Sequence, residues 1–213
     1  MRLNLNLLSK NLFDFIFPTN CLGCGKPGGF ACAECLKKIK PPRQTRIPGL
    51  PLLYCTANYH DQFPRAIIHA FKYELITDLS LPCAQVIAEF LKKQKITFNR
   101  DWLITYVPIH PHRETLRGFN QAKLVAQWLS EMLGLEMLDA LEKTKQTRSQ
   151  MKLGYNERVK NLKGVFKVKA NIRDMKIILI DDVCTTGSTL IECSKVLRQA
   201  GAAEIVCLVF ARD

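Results

Sequence analysis

Residues 177–192, IILIDDVCTTGSTLIE, set four aliphatic residues against two adjacent aspartates, and a short Thr/Gly/Ser run then opens into a helical pattern. A strand that ends on acids and turns through small hydroxyl residues into a helix is a unit of an α/β sheet. The rest of the chain repeats the alternation. LLYCTANY (52–59), WLITYVPI (102–109), LEMLDAL (135–141), KIILIDDV (176–183) and EIVCLVFA (204–211) read as strands. PRAIIHAFKYEL, LPCAQVIAEFLKK and STLIECSKVLRQAG read as helices, as does QAKLVAQWLSEML, where Ala122, Val125, Ala126, Leu129 and Leu133 share one face. Strands alternating with helices predict a parallel sheet covered on both faces.

The carboxyl ends of such strands are where ligands bind, and there the sequence puts Asp181 and Asp182. Behind them the loop Cys184, Thr185, Thr186, Gly187, Ser188, Thr189 offers backbone N–H groups and hydroxyls at a helix N-terminus, a cradle for one phosphate. It lacks the lysine of a Walker A loop. The acids beside it suit vicinal hydroxyls or a hydrated Mg2+. Together these features describe a site for a ribose 5-phosphate. A receiver domain also carries paired aspartates at a strand end, but early in its chain, whereas only 31 residues follow Asp182 here.

Nine cysteines are many for a reducing compartment, and four are grouped: CLGCGKPGGFACAEC places Cys21, Cys24, Cys32 and Cys35 as two C-x2-C pairs. Two such turns, with glycines between them, aim four thiolates at one ion, the closed shell of a structural Zn2+. Two disulfides or a redox dithiol are the alternatives; the first conflicts with a reducing cytoplasm and the second needs no second copy. Cys55, Cys83, Cys193 and Cys207 sit in apolar patterns as core residues. Cys184 is the one placed to be accessible, though it too reads first as a packing residue. The proline-rich PPRQTRIPGLP (41–51) reads as a linker and divides a zinc module (1–50) from the α/β domain (51–213).

At the start, Leu5, Leu8, Leu12, Phe15 and Ile16 fall at the spacing of an amphipathic helix. Polar residues interrupt that run, so neither a signal peptide nor a membrane span is expected, and the protein is read as cytoplasmic. The net charge of +12 favours phosphate-bearing partners without choosing among nucleic acid, nucleotides, sugar phosphates and anionic membranes, and it is also compatible with none.

IILIDDVCTTGST (177–189) resembles the phosphoribosyl-diphosphate (PRPP) signature of type I phosphoribosyltransferases. With the four-cysteine segment, VPIHPHRETLRGFNQAKLVA (107–126) and KTKQTRSQMKLGYNERVKNLKGVF (143–166), nearly the whole chain resembles the ComF family, which includes GntX-like proteins. The resemblance implies a type I phosphoribosyltransferase-like (Rossmann-like) core with an added zinc module, Mg2+ accompanying PRPP, and a role in natural transformation, where single-stranded DNA and competence proteins are partners. It assigns Asp181 and Asp182 to the ribose hydroxyls and Thr185 through Thr189 to the 5-phosphate. It also makes the loop from His110 through Gln121 the pyrophosphate site, where Arg113 and Arg117 offer bidentate donors and Gly118 permits close backbone approach. Phe119 and Asn120 in that loop read equally as anchors for the next helix, and His110 and His112 as solvated residues. A mobile loop from Lys143 to Lys163 is expected to close over PRPP, with Lys145, Arg148 and Arg158 as charge-stabilising candidates or as a solvated face. Lys72 matches a lysine of the family pattern without a derivable role. Lys37, Lys38, Lys40, Arg43 and Arg46 follow the cysteines as candidates for a DNA backbone.

Two readings remain open: an enzyme transferring a phosphoribosyl group to an acceptor, and a non-catalytic PRPP- or nucleotide-sensing adaptor that binds single-stranded DNA.

Overall fold

The computed structural model describes residues 19–43, 46–146, 162 and 164–213. The expected N-terminal helix lies outside this range, as do Arg148 and Arg158.

A four-residue helix, α1 (Ala33–Leu36), belongs to the cysteine segment. There follow β1 (Leu52–Asn58), α2 (Gln62–Tyr73), a 3-10 turn (Thr77–Leu79), α3 (Ser80–Lys93), β2 (Trp102–Tyr106), α4 (Pro111–Arg117) and α5 (Gln121–Leu133). The chain then forms β3 (Leu141–Lys143), β4 (Phe166–Val168), β5 (Lys176–Cys184), α6 (Ser188–Gln199) and β6 (Glu204–Arg212). The main sheet is fully parallel in the order β1-β6-β5-β2, and β3 pairs antiparallel with β4 as a separate ribbon.

Side chains on a strand alternate between faces, and β5 uses both. Ile178 and Ile180 face one layer, where α2, α3 and α5 contribute Ile67, Phe71, Ile87, Val125 and Leu129. Ile177 and Leu179 face the other, with Leu190, Cys193 and Leu197 of α6 and Leu141 and Phe166 of the ribbon. Ile177, Ile178, Leu179 and Ile180 are all fully buried, which is why no polar residue falls between Lys176 and Asp181.

Two local expectations change. LEMLDAL is not a strand along its length: Met137 makes one isolated parallel bridge to Ile104, and pairing resumes only at Leu141. Its backbone bonds run to different partners, with Leu138 N–H on the Ile104 carbonyl and Ala140 N–H on Thr105 Oγ1, so no continuous ladder forms. The stretch after β2 is not all loop, because Pro111 stands at the start of α4 and His110 Nδ1 accepts from His112 N–H at 3.2 Å to cap it. His110 is therefore a cap.

Connections from β5 and β2 leave in opposite directions, β5 toward β6 and β2 toward the Met137 bridge on its far side. Such a switch point opens a crevice at the carboxyl ends of the two strands. Val107 N–H still bonds the Ile180 carbonyl at 2.9 Å, so the crevice begins one residue further on.

The cysteine segment rests on this body. Leu22, Phe30, Leu36 and Ile39 pack against the layer that holds α2. Gly23 is required there, since a Cβ would lie 2.8 Å from the Phe63 ring and 2.9 Å from Cys35 Sγ. No helix among the described residues is long and apolar enough to cross a membrane.

Candidate functional site

The crevice is a cavity of about 330 Å3 lined by residues from six elements and the loops beside them. Alternation along β5 divides its two acids. Asp182 continues the face of Ile178 and Ile180 toward α2, where its Oδ2 lies 2.9 Å from Lys72 Nζ. Asp181 continues the face of Ile177 and Leu179, toward α6 and the ribbon.

Asp182 is not the solvent-facing acid that a strand-end position suggests. Its side chain is 12 % exposed and that of Lys72 24 %, so the pair is largely withdrawn from water. Burial opposes the Lys72 charge, but the Asp182 carboxylate, with Asp181 behind it, more than compensates and raises the lysine's pKa. For Asp181, burial and then the neighbouring Asp182 charge push the pKa up to about 8, against the smaller opposing pull of Lys72. Asp181 Oδ1 also accepts the Asp182 backbone N–H at 2.9 Å, which orients it.

Facing the acids are Arg113 and Arg117 of α4 and Lys143 of β3. With Lys72, four cationic side chains share this cavity with two carboxylates. Lys143 also lies over the Phe166 ring, 5.6 Å from its centroid, and burial followed by the nearby Arg113 lowers its pKa. Arg117 is braced: it donates to Gln121 Oε1 at 3.2 Å, and Gln121 Nε2 donates to the Phe71 carbonyl at 3.3 Å. Asn120 is an anchor, capping α5 through Lys123 N–H at 3.3 Å and donating to the Val107 carbonyl at 3.1 Å. Phe119 stacks on Phe71 with centroids 5.7 Å apart.

The loop into α6 borders the cavity through Thr189. Thr186 and Ser188 hydroxyls are 2.8 Å apart, and Gly187, at φ +78°, supplies no capping side chain to the helix. Ile47 of the linker sits against Gly187, so close that a Cβ would be 3.0 Å from its Cδ1. The Cys184 side chain, by contrast, is buried at 2 % exposure, and burial pushes its thiol up to about 12. It belongs to the core, and only its backbone is at the loop.

Of the residues singled out in the sequence, Asp181, Asp182, Arg113, Arg117 and Thr189 converge on one cavity. Thr185, Thr186, Gly187 and Ser188 form the adjoining turn. Gly118 closes α4 in the left-handed conformation at φ +80°, and Lys145 is exposed away from the cavity wall. Lys72, whose sequence position gave no derivable role, joins the site, as do Gln121, the last residue of the expected pyrophosphate loop, and Lys143, which begins the expected closing loop but stands in β3. The signal for Lys143 was its place two residues beyond the buried Leu141 in a strand too short to stand out.

The second cluster is the four cysteines, whose Sγ atoms all lie within 4.8 Å of one another. Cys24 Sγ and Cys32 Sγ are 3.7 Å apart, close to the edge of about 3.8 Å expected for a tetrahedron with Zn–S bonds of about 2.3 Å. Cys32 N–H donates to Cys21 Sγ at 3.4 Å. Burial works against the Cys21 thiolate, yet this N–H and those of Gly23 and Cys24 bring its pKa down to about 6. Burial and the adjoining sulfurs push Cys35 up to about 12, a conflict that a dication at the centre removes. The set is compatible with structural zinc.

The sequence matches the phosphoribosyl transferase domain over residues 117–213. DNA utilization protein YhgH of Escherichia coli K12 is 30 % identical over 193 residues, 88 % of this chain and 81 % of that protein. The chain belongs to the ComF family. Its members include competence protein F of Haemophilus influenzae, 40 % identical over 110 residues, covering 50 % of this chain and 48 % of that one. Competence protein ComFC of Streptococcus pneumoniae is 29 % identical over 195 residues, 91 % and 80 % of the two chains. This ComF chain thus has a parallel-sheet phosphoribosyltransferase fold with an N-terminal four-cysteine cluster.

A carboxyl group whose folded pKa lies above its unfolded one favours the fold most at low pH and costs stability as pH rises toward the folded value. For Asp181 that window runs from about 4 to about 8. Asp181→Asn is therefore expected to melt above the parent protein at pH 8, by about 2–8 °C for roughly 1–2 kcal/mol. The gap should close toward pH 4. Thermal melts across this range check it, and a gap independent of pH would contradict the assignment.

Proposed function

We propose that the cavity binds PRPP and that the protein is a Mg2+-dependent phosphoribosyltransferase whose acceptor is open. The observation that carries this reading is the meeting, in one crevice, of two strand-end acids, the turn into α6 and four cationic side chains. A ligand suited to it carries vicinal hydroxyls, one phosphate at the α6 turn and further phosphate charge opposite the acids. In this reading Asp181 and Asp182 accept from the ribose hydroxyls. Thr185 through Thr189 hold the 5-phosphate, with Cys184 contributing only backbone, and Arg113 and Arg117, beside Gly118, hold the diphosphate with Lys143. Lys145 adds charge from the exposed end of the ribbon.

Asp182 is already neutralised by Lys72, so the acid pair does not offer two unpaired carboxylates to a cation. Asp181 is the acid that would hold such an ion, whose charge would favour the ionised carboxyl. Mg2+ held there would supply charge neutralisation for a departing diphosphate. The side chains of this chain then fix the ribose between acids and cations, and the positive wall stabilises charge as the bond at C1 breaks. No protein nucleophile is needed.

A second reading, a non-catalytic PRPP- or nucleotide-sensing adaptor on single-stranded DNA, is favoured by one observation. Lys37, Lys38, Lys40, Arg43 and Arg46 are all exposed, and none forms an ion pair among the described residues. The names of the relatives, DNA utilization protein and competence protein, suit a place in DNA uptake for either reading. In both, the protein acts in the cytoplasm, and the cysteines hold Zn2+.

Calorimetric titration with PRPP and Mg2+ is expected to give saturable one-site binding, abolished in Asp181→Asn with Asp182→Asn while the protein stays folded. Unchanged affinity in the double variant would remove the ribose assignment. Diphosphate release with candidate acceptors separates the enzyme from the sensor.

Metal analysis is expected to find one zinc per chain. Cys24→Ser should lose it and lower the melting temperature, because metal-binding free energy is local folding free energy. Iron, or no metal, would overturn the site.

If the linker cations hold DNA, replacing all five with alanine should weaken oligonucleotide retention and flatten its salt dependence by about 0.7 per lost phosphate contact. An unaltered slope and affinity would exclude this surface and leave the enzyme reading the stronger.

A further inference from the structure

We propose that Lys72 is a positioning residue for the acid pair, neutralising Asp182 so that a strand end bearing two carboxylates can accept a polyanionic ligand. The inference rests on the PRPP reading of the cavity and assigns a role within it to a residue of α2.

The position of Lys72 is fixed by its neighbours. Ile67, Ile68 and Phe71 bury one face of α2, and Phe71 is both fully buried and stacked on Phe119. Lys72 lies in the last turn of the helix, where the partial negative charge of the terminal carbonyls favours an ammonium. Its Nζ reaches Asp182 Oδ2 at 2.9 Å, with both side chains largely out of water. At such a place a carboxylate without its partner repels incoming phosphate and is drawn instead to any cation.

The same helix ties the acids to the arginines. The carbonyl of Phe71, adjacent to Lys72, accepts from Gln121, and Gln121 accepts from Arg117. A short hydrogen-bonded path thus sets the spacing between the Asp182 carboxylate and the Arg117 guanidinium, the distance that a ribose and its diphosphate must bridge. Lys72 acts through Asp182, and the proposal requires no contact between its ammonium and the ligand.

This role has a signature in a double-mutant cycle. PRPP with Mg2+ is titrated calorimetrically into the full-length parent protein, Lys72→Met, Asp182→Asn, the double variant and Lys72→Arg. Each charge-removing single variant is expected to bind at least about tenfold more weakly, the scale of an unpaired, part-buried charge. The double variant should bind no more weakly than the weaker single, because without the Asp182 charge nothing remains for Lys72 to neutralise. Lys72→Arg should stay within about threefold of the parent, since it keeps the charge.

Fold-changes that multiply in the double variant would overturn the proposal, since a lysine contacting diphosphate directly behaves that way. Lys72→Met binding within about twofold of the parent would overturn it too, leaving an ion pair of structural value only. If Lys72→Met fails to fold, the comparison of the charge-balanced double variant with Asp182→Asn decides: equal affinity supports the role and a further loss overturns it. A parent protein that binds no PRPP removes the PRPP reading, and this inference with it. That outcome differs from a parent that binds while the cycle is additive, which removes Lys72 alone.

Discussion

A strand exposes successive side chains on opposite faces, and at the end of β5 this rule divides two neighbouring carboxylates between two environments. Asp182 turns to the α2 layer and meets Lys72; Asp181 turns to the α6 layer, where burial and its neighbour's charge raise its pKa. Identical residues one position apart thus sit in different electrostatic surroundings. In the proposed function this division matters, because two unpaired carboxylates side by side would repel a phosphorylated ligand.

The remaining architecture serves to hold that strand end in place. Its four aliphatics are locked between two helical layers, and the crevice opens where connections from β5 and β2 diverge. Around it the polar groups brace one another. Asn120 ties α5 to the end of β2, and Gln121 ties α4 to α2. The cysteine segment adds a further constraint, packing Gly23 against Phe63 at the opposite end of the helix that carries Lys72. The four-cysteine cluster and the cavity are therefore attached to the two ends of one helix.

Much of this was legible along the chain. The aliphatic run of β5, the helical faces of α2, α3, α5 and α6, and the four-cysteine spacing each carry their own signal, because burial on one face or two imposes a period on the sequence. The acids, Thr189 and the two arginines were legible as candidates by residue type and by position at strand ends. The Met137 region was not: its pattern suits a strand, but it meets Ile104 through one isolated bridge, and a ladder needs a partner that the local sequence does not supply. Cys184 was likewise ambiguous, since the same small residue suits a loop or a core.

The sequence alone determined the parallel α/β class, the Thr/Gly/Ser turn beside two acids and the four-cysteine cluster, all of which depend on residues close together in the chain. Only the tertiary structure decided that Lys72, 110 residues before Asp182, pairs with it, that Lys143 enters the cavity from the ribbon, and that Gln121 braces Arg117. Lysines and glutamines have no period that marks them as buried. Their roles arise when packing removes them from water and an electrostatic partner must be found within about 3 Å.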